Sequence, residues 1–434
     1  MLSFDVSNFR SIRDTVRLRL TRNARDAIDE FTYPDVVPAL AILGANAAGK
    51  SNLLRAINTM FWMIRTSATR VEDSLQYTPY MLGTDGGQPT TFQVLVMLND
   101  VRYDYGFRFN GERILSEWLR SWPRGRQRTL FIRDVEALEP WQFGDSLTGA
   151  NQALAKATRD DALLLSTARL LNHDVLGPIQ QQFASLVRSV TSEGFSGLLQ
   201  STLQALVENP RREAQVRRLI THADLGIVNL AIEEQQLTDT HRETARRVIE
   251  VLSPSLTPEQ RAELANTPLQ PILGHRSASG EVNFPFAWES TGTRNFLVLL
   301  GPVLELLTTG GVLVVDEIDA SLHPRLVSEL VRLFQDPARN PSQAQLILST
   351  HDVTVMMNVG DYDVLQRDQL WFVDKDDEGV SRLTPLTDFS PRRGEVFSRN
   401  YLNDRYGGVP RINSHDFVDL WGEDLEARGD QSAT

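Results

Sequence analysis

The stretch of this sequence with the clearest chemistry is Gly44-Ala45-Asn46-Ala47-Ala48-Gly49-Lys50-Ser51. It fits the pattern G-x-x-x-x-G-K-[ST], in which the backbone N–H groups of a loop and the start of a helix surround phosphate oxygens. Lys50 would neutralise β- and γ-phosphate oxygens, and the Ser51 hydroxyl would help to hold Mg²⁺. The residues that we expect to contact ATP here are Gly44, Asn46, Ala47, Gly49, Lys50, Ser51 and Asn52.

The segments on either side of this loop have the patterns that it requires. Residues 39–43 form a short apolar run after Pro38, which suits a buried strand. Residues 52–65 carry apolar side chains at helical spacing. A glycine-rich turn with a chance Lys-Ser pair is the alternative interpretation, but a strand, a loop and a helix in this order favour phosphate binding.

A second apolar run, residues 311–315, ends in the carboxylates Asp316 and Glu317. An acid at the end of such a strand can reach the Mg²⁺ beside Ser51, and the glutamate after it can orient the water that attacks the γ-phosphate. Taken alone, the run also fits a buried strand with an acidic turn. Together with the phosphate loop, it predicts Asp316 as a metal ligand and Glu317 as a catalytic residue.

Two other segments place polar residues at the end of an apolar pattern. His351 follows the strand pattern of residues 345–350. Ser290 and Gly292 come just before an apolar helix pattern over residues 294–307. A serine and a glycine at a helix N-terminus can form an anion site through free N–H groups and the helix dipole. Equally, Ser290 could only cap the helix.

The composition bounds the class of protein. A chain of 434 residues can hold two or three domains, and its 41% hydrophobic and 23% charged residues are ordinary for a soluble globular protein. The absence of cysteine excludes disulfides, cysteine-ligated zinc and thiol catalysis. We see neither a signal peptide nor a membrane span, and therefore expect a cytoplasmic protein with no membrane partner. The formal net charge of −12 argues against a surface that is uniformly adapted to nucleic acid.

The strand and helix patterns divide the chain into three parts. Residues 2–20 predict a strand pair, and residues 91–120 predict an antiparallel meander with turns at Asn99-Asp100 and Asn110-Gly111, extended by residues 130–133. The pattern becomes mostly helical near residue 150. The helices predicted there are 180–190, 196–207, 211–222 and 240–252. The predicted parts are an N-terminal lobe over 1–150, a helical insertion over 151–270 and a C-terminal lobe over 271–434.

The order of these motifs resembles a known group of ATPases. The sequence elements that carry the resemblance are Asn8-Phe9-Arg10-Ser11-Ile12, the phosphate loop, the meander, the helical insertion, Glu289-Ser290-Thr291-Gly292-Thr293, Asp316-Glu317-Ile318-Asp319 with the following Leu322-His323-Pro324, and Ser349-Thr350-His351. In this order they resemble the bacterial AAA-labelled ATPases of the ABC/SMC/OLD-like group over nearly the whole chain. The resemblance implies an α/β fold, an ABC-type (P-loop) ATPase head with an antiparallel β meander and an inserted helical arm.

The resemblance also implies roles for single residues. His351 would be the switch histidine near the γ-phosphate and would act with Glu317, while Asp319 would begin an inter-subunit contact. Ser290 and Gly292 would belong to the signature sequence, which in this superfamily binds the γ-phosphate held by another subunit. One phosphate loop and one signature per chain imply a homodimer, or a higher homo-oligomer, with shared sites.

Many relatives in this group are ATPase subunits of abortive-infection and other anti-phage systems. We therefore expect an ATPase that dimerises around ATP and controls a separate effector, a nuclease or a toxin. A DNA-binding ATPase of repair or chromosome maintenance is the alternative. A scaffold with structural nucleotide and negligible turnover is a second alternative, against which the intact Glu317 argues.

Some features depart from the group or stay ambiguous. Neither Gln180 nor Asn172 is a convincing Q-loop residue, and a transporter role is disfavoured because the Leu-Ser-Gly-Gly form of the signature is missing. No Toprim-like acidic run follows His351. The acidic residues Asp374, Asp376 and Asp377 fit a solvated hairpin turn. Arg392, Arg393, Arg399, Arg405 and Arg411 alternate with Phe397, Tyr401 and Tyr406, which fits either nucleic-acid binding or, as we favour, a packing or docking segment.

Overall fold

A computed structural model describes residues 1–22, 35–70, 75–83, 87–190, 195–223, 226–234, 269–320, 322–359, 362–392 and 394–410. The strands in these ranges are β1 (Ser3–Ser7), β2 (Val16–Arg19), β3 (Ala39–Gly44), β4 (Thr90–Leu98), β5 (Val101–Phe109), β6 (Ile114–Trp122), β7 (Arg128–Asp134), β8 (Trp141–Phe143), β9 (Val187–Val190), β10 (Ile227–Glu234), β11 (Leu269–Ser277), β12 (Gly280–Pro285), β13 (Val312–Val315), β14 (Gln345–Thr350), β15 (Asn358–Val359), β16 (Tyr362–Asp363), β17 (Leu370–Lys375) and β18 (Ser381–Pro385). The α-helices are α1 (Lys50–Thr66), α2 (Asn151–Ala157), α3 (Leu164–Leu170), α4 (Leu176–Leu186), α5 (Phe195–Val207), α6 (Pro210–His222), α7 (Thr291–Thr309), α8 (Pro324–Gln335) and α9 (Phe397–Leu402). None of the helices in the described ranges is long and apolar enough to cross a membrane.

The phosphate-loop segment extends from a sheet whose described strands lie in the order β18-β17-β3-β14-β13-β9. β17, β3, β14, β13 and β9 run parallel, whereas β18 returns antiparallel to β17. Every residue of β3, β13 and β14 is buried, as expected for parallel strands that are covered on both faces. Because parallel strands end at the same edge, the carboxyl ends of these three strands bring the loop, Asp316 and His351 together.

Successive residues of β3 face two different apolar cores. Leu40 and Ile42 lie in the core that contains α1 and the meander. Ala39, Ala41 and Leu43 lie in the core that contains α7 and α8. This alternation is the two-residue period of a strand, and it holds helices from both halves of the chain against opposite faces of one sheet.

The predicted strand pair and meander are confirmed. Their described strands form one antiparallel sheet in the order β2-β1-β4-β5-β6-β7-β8. Asn99 and Asp100 connect β4 to β5 with φ values of 47° and 60°. A two-residue hairpin turn of type I′ needs positive φ at both positions, and Asn and Asp tolerate that conformation better than most residues.

The helical region is confirmed only in part. α5 and α6 match the predicted helices 196–207 and 211–222, whereas the predicted helix 240–252 lies outside the described residues. The predicted helix 180–190 is wrong in its last four residues, because the chain leaves α4 after Leu186 and continues as β9. Pairing with β13 overrides the local helical pattern, since it adds a strand to the edge of the central sheet.

The predicted insertion also contains residues that belong to the core of the head. Leu154, Leu164 and Phe183, on α2, α3 and α4, lie in the same apolar core as α1. β10, β11 and β12 form a separate antiparallel sheet beyond them. The boundaries at 150 and 270 therefore remain a prediction.

A buried carboxylate joins the meander to α3. Glu117 of β6 is fully buried and accepts hydrogen bonds from the backbone N–H groups of Leu164 at 2.7 Å and Leu165 at 3.2 Å. The Tyr105 hydroxyl donates a third bond at 2.9 Å. The first N–H groups of a helix lack partners within the helix, so Glu117 satisfies the start of α3 from another strand.

Glu117→Ala is expected to lower the free energy of unfolding by about 2–4 kcal/mol, because it leaves buried donors without an acceptor. Burial raises the pKa of Glu117, against the lowering effect of the Leu164 N–H group and of Arg133. Since burial disfavours the charge, the neutral Glu117→Gln should lose less stability than Glu117→Ala. Urea unfolding of both variants, with the exposed Glu112→Ala as control, measures this difference. Equal stability of Glu117→Ala and wild type would contradict the assigned role.

Candidate nucleotide site

The phosphate loop has a backbone that only small residues can form. Ala47 has φ 62° and Gly49 has φ 115°, and α1 begins immediately after Gly49. A Cβ at Gly44 would collide with the Val373 carbonyl oxygen of β17, and one at Gly49 would collide with the Ser381 hydroxyl of β18. Close approach therefore requires both glycines, and at Gly49 the positive φ requires a glycine as well. Asn46 and Ala47 lie exposed at the tip of the loop, open to a ligand.

Lys50 lies within the loop and is only 5% exposed. Its ammonium group donates hydrogen bonds to the carbonyl oxygens of Gly44 at 2.7 Å and Ala45 at 3.0 Å. Burial lowers the pKa of Lys50 from 10.5 to about 8, and the nearby carboxylates of Glu317, Asp319 and Asp316 oppose that shift. A buried cation surrounded by backbone groups is suited to bind an anion that enters the loop.

Ser51 and Asp316 meet although they are far apart in sequence. The Ser51 hydroxyl donates to Asp316 Oδ1 at 3.1 Å. Mg²⁺ prefers oxygen ligands such as hydroxyl and carboxylate groups, and it is commonly bound by one or two carboxylates together with substrate phosphates and water. In the described part of the chain there is no cluster of three or more acidic or histidine ligands. The pair therefore fits Mg²⁺ that binds with a nucleotide.

Glu317 and His351 lie at the same edge of the sheet. Glu317 is exposed, with φ 51°. His351 Nε2 is 3.0 Å from Lys50 Nζ, and the His351 backbone N–H donates to Asp319 Oδ2 at 3.1 Å. Burial, followed by the charge of Lys50, lowers the pKa of His351. A nitrogen of a neutral imidazole can accept a hydrogen bond from the Lys50 ammonium in this contact, which is consistent with that shift.

Side chains from three separate segments form a hydrogen-bond network behind the phosphate loop, and the sequence analysis did not predict this network. The Asn52 amide donates to Ser11 Oγ at 2.7 Å, and Ser381 Oγ contacts both Ser11 Oγ at 2.7 Å and the Ala48 carbonyl at 2.6 Å. Asn52, predicted as a nucleotide contact, thus has its side chain bonded within the protein. Ser11 lies in the Asn-Phe-Arg-Ser-Ile motif, which could have indicated its role in supporting the loop. No sequence pattern indicated such a role for Ser381.

The predicted signature segment lies at the N-terminal end of α7. Ser290 is the N-cap of α7, and its hydroxyl accepts a hydrogen bond from the Thr293 N–H at 3.1 Å. Gly292 lies in the first turn of α7. The hydrogen bonds of Ser290 in the described structure are local to this turn. The capping role is therefore present, and binding to a second chain remains a prediction.

The two Q-loop candidates lie away from the loop. The Gln180 amide donates to the Ile64 carbonyl at 2.9 Å, near the C-terminal end of α1. Ser51 lies in the first turn of the same helix, about 20 Å away at 1.5 Å per residue. Asn172 is exposed, with φ 52°, in the connection between α3 and α4. Gln180 therefore has a structural contact rather than one at the phosphate site.

The acidic and aromatic segments near the C-terminus have packing roles. The residues after Asp374 turn between β17 and β18, as predicted, and Asp376 accepts backbone hydrogen bonds from Glu378 and Val380. Tyr401 and Tyr406 are buried and stack on Phe372, with ring centroids 5.4 Å and 5.1 Å away.

The arginines of that segment are only partly described. Arg405 pairs with Glu395 at 3.5 Å, and Arg392 and Arg399 are exposed. Arg393 and Arg411 lie outside the described residues. The buried tyrosines favour the packing interpretation for this segment, and nucleic-acid binding by its arginines stays a prediction.

Comparison with known proteins gives one family and several distant structures. A family model described as "AAA domain, putative AbiEii toxin, Type IV TA system" matches residues 40–358. The SMC head domain from Thermotoga maritima is similar at 13% identity with a TM-score of 0.39, covering 88% of this chain and 98% of that chain. An SmcHead bound to the C-winged helix domain of ScpA is similar at 13% identity with a TM-score of 0.37, covering 88% and 96%. Comparison with curated proteins gives no match.

Nucleotide affinity is expected to fall as the pH rises above about 8. Phosphate binding favours the ammonium form of Lys50, whose pKa in the free protein is about 8. Above that pH the free protein must take up a proton on binding, so the apparent affinity should fall by up to about tenfold per pH unit. Titration with a fluorescent ATP analogue between pH 7 and 9.5 measures this. Lys50→Arg, which does not titrate in this range, is the control, and a flat wild-type profile would contradict the prediction.

Proposed function

This chain belongs to the AAA domain family that its family model describes, with the α/β fold of an ABC-type ATPase head, and from that premise we propose that it binds and hydrolyses ATP. The observation that carries the proposal is the meeting of Ser51 with Asp316 beside Lys50, with Glu317 as the next residue. These groups supply the cation, the metal ligands and the carboxylate that phosphoryl transfer to water requires.

Each residue would have a distinct task in this reaction. Lys50 would exchange its bonds to loop carbonyls for bonds to phosphate oxygens, while Ser51 and Asp316 would hold Mg²⁺. The ion would supply neutralisation of the developing charge on the phosphates. Glu317, exposed at the edge of the sheet, would orient the attacking water or accept its proton. His351, whose imidazole contacts Lys50, would bind near the γ-phosphate.

We further propose that the site is completed by a second copy of the chain. The loop would bind one side of the triphosphate, and Ser290 with the N-terminus of α7 would approach the γ-phosphate from another subunit. The exposed position of Ser290 supports this arrangement, because the residue is open to a partner. ATP would then stabilise a homodimer or a higher homo-oligomer, and hydrolysis would loosen it.

The biological role that we propose is the control of a separate effector, a nuclease or a toxin, in anti-phage defence in the cytoplasm. The family description, which names the AbiEii toxin and a type IV toxin–antitoxin system, supports this role. A DNA-binding ATPase of repair or chromosome maintenance is the alternative. Stimulation of ATP hydrolysis by DNA ends would favour the alternative, and a toxin or nuclease gene beside this one would favour defence.

Glu317→Gln is expected to bind ATP but to hydrolyse it more slowly by a factor of about 10²–10⁴, because the amide cannot act as a base. Steady-state turnover and the affinity for ATP measure the two effects separately. Glu329→Gln, a change of an exposed glutamate on α8, is the matched control. Unchanged turnover in Glu317→Gln would remove Glu317 from the catalytic role, and His351 would be the next residue to test.

Mixing two inactive variants tests the shared site. Lys50→Ala should lose nucleotide binding, and Ser290→Arg should block closure by bulk and charge. A heterodimer of the two contains one intact loop opposite one intact signature, so part of the ATPase activity should return on mixing. Ser279→Arg, in the hairpin between β11 and β12, is the control for an added surface arginine. If heterodimers form and no activity returns, or if Ser290→Arg alone is fully active, the shared site is wrong.

A further inference from the structure

A single buried hydroxyl connects the two carboxylate residues of the proposed site. Ser349 lies in β14, and its side chain is fully buried. Its hydroxyl donates a hydrogen bond to Asp316 Oδ1 at 2.6 Å and accepts one from the Glu317 backbone N–H at 2.8 Å. One hydroxyl thus acts as a donor to Asp316 and as an acceptor from Glu317, the two residues that follow β13.

The first bond restrains the Asp316 carboxylate. Asp316 Oδ1 accepts from Ser51 and from Ser349, so the carboxylate is held between α1 and β14. A metal bound by Ser51 and Asp316 would weaken or replace the hydrogen bond that joins these two residues. Ser349 does not belong to the phosphate loop, and its bond can therefore continue to orient Asp316 while the metal binds. Outer hydrogen bonds of this kind commonly set the orientation and affinity of a metal ligand.

The second bond restrains the backbone from which the Glu317 side chain projects. Glu317 has φ 51°, a left-handed conformation that is unfavourable for a residue with a Cβ. Such a conformation persists where the surrounding structure stabilises it. The Ser349 hydroxyl binds the N–H group of this residue, and thereby fixes the direction in which the Glu317 carboxylate leaves the end of β13.

We infer that Ser349 is a positioning residue that sets both the magnesium affinity of Asp316 and the orientation of Glu317. The inference rests on the proposed ATP hydrolysis. It predicts two separate losses when the hydroxyl is removed. Mg²⁺ should bind more weakly in the presence of ATP, and turnover at saturating Mg²⁺ should fall because Glu317 no longer projects in one direction. Nucleotide binding without Mg²⁺ depends on the loop and Lys50, and should not change.

The test compares Ser349→Thr with Ser349→Val in the full-length protein. The two side chains have nearly the same shape, but only threonine keeps a hydroxyl, so any effect of added volume is common to both. Ser349→Ala removes the hydroxyl without adding volume. Ser189→Ala is the matched control, because Ser189 lies in the same sheet on β9, which pairs with β13, and its buried hydroxyl has no hydrogen-bond partner among the described residues.

Three quantities are measured: turnover at saturating Mg²⁺ and ATP, the Mg²⁺ concentration for half-maximal turnover, and the affinity for fluorescent ADP in EDTA. Ser349→Ala, and Ser349→Val relative to Ser349→Thr, should each lower turnover and raise the half-saturating Mg²⁺ concentration by about 10–100-fold. Affinity in EDTA should stay within about twofold. Thermal unfolding checks the fold, and if Ser349→Ala does not fold, the threonine and valine pair decides.

The inference is wrong if Ser349→Ala, or Ser349→Val relative to Ser349→Thr, leaves turnover and half-saturating Mg²⁺ within twofold. It is equally wrong if affinity in EDTA falls as much as the Mg²⁺-dependent quantities, or if Ser189→Ala causes the same losses. Failure of the proposed function gives a different result, because the wild-type protein itself would then show no Mg²⁺-dependent hydrolysis of ATP.

Discussion

Parallel hydrogen bonding between β3, β14 and β13 brings to one sheet edge segments that are separated by as many as 301 residues. Leu43 pairs with Thr350, and Val315 pairs with Leu348, so the three strands end within a few residues of one another. β13 and β14 are followed directly by Asp316 and His351, and β3 leads into the phosphate loop, so the polar groups of these segments lie close together. The contacts of Lys50 with His351 and of Ser51 with Asp316 depend on this register, because a shift of one residue would turn alternate side chains to the opposite face.

The charges at this edge are balanced so that a phosphate can replace existing contacts. Lys50 is buried beside three carboxylates and bonds to backbone carbonyls of its own loop. A buried ammonium without partners would be strongly disfavoured, so these bonds stabilise the loop before any ligand binds. Phosphate oxygens offer the same ammonium a full negative charge. The proposed binding of a nucleotide would therefore exchange neutral acceptors for charged ones, without moving the lysine into a new environment.

The loop also depends on parts of the chain that lie outside the phosphate motif. Ser11 from the N-terminal segment and Ser381 from β18 meet beneath Ala48, and Gly44 packs against β17. The segment after α9 packs onto the same region, since a Cβ at Gly408 would lie 2.9 Å from the Val373 carbonyl oxygen. The N-terminal strand pair, the central sheet and the C-terminal hairpin are thus coupled to the conformation of one short loop.

The sequence by itself determined the phosphate loop, the acidic strand end, the antiparallel meander and the helices α1, α5, α6 and α7. These features are local: a glycine pattern, a period of two or 3.6, or a turn residue with positive φ carries its own signal within a few residues. For the same reason the sequence predicted Lys50, Ser51, Asp316 and Glu317 as members of one site. The sequence identified these four residues by their types and their order along the chain. It did not show how far apart their side chains lie in the folded protein.

Only the tertiary structure decided where a local sequence pattern forms the secondary structure that it predicts and where it does not. Residues 187–190 form a strand because β13 offers them hydrogen bonds, and Gln180 faces α1 because α4 packs there. Ser349 lies in the Ser-Thr-His motif, but that motif indicated a role for His351 alone, and Ser381 lies in no motif, since a single hydroxyl in a strand resembles any other. Their positions became significant only when strand pairing placed them against Asp316 and Ala48, and pairing between distant segments is a property of the whole fold.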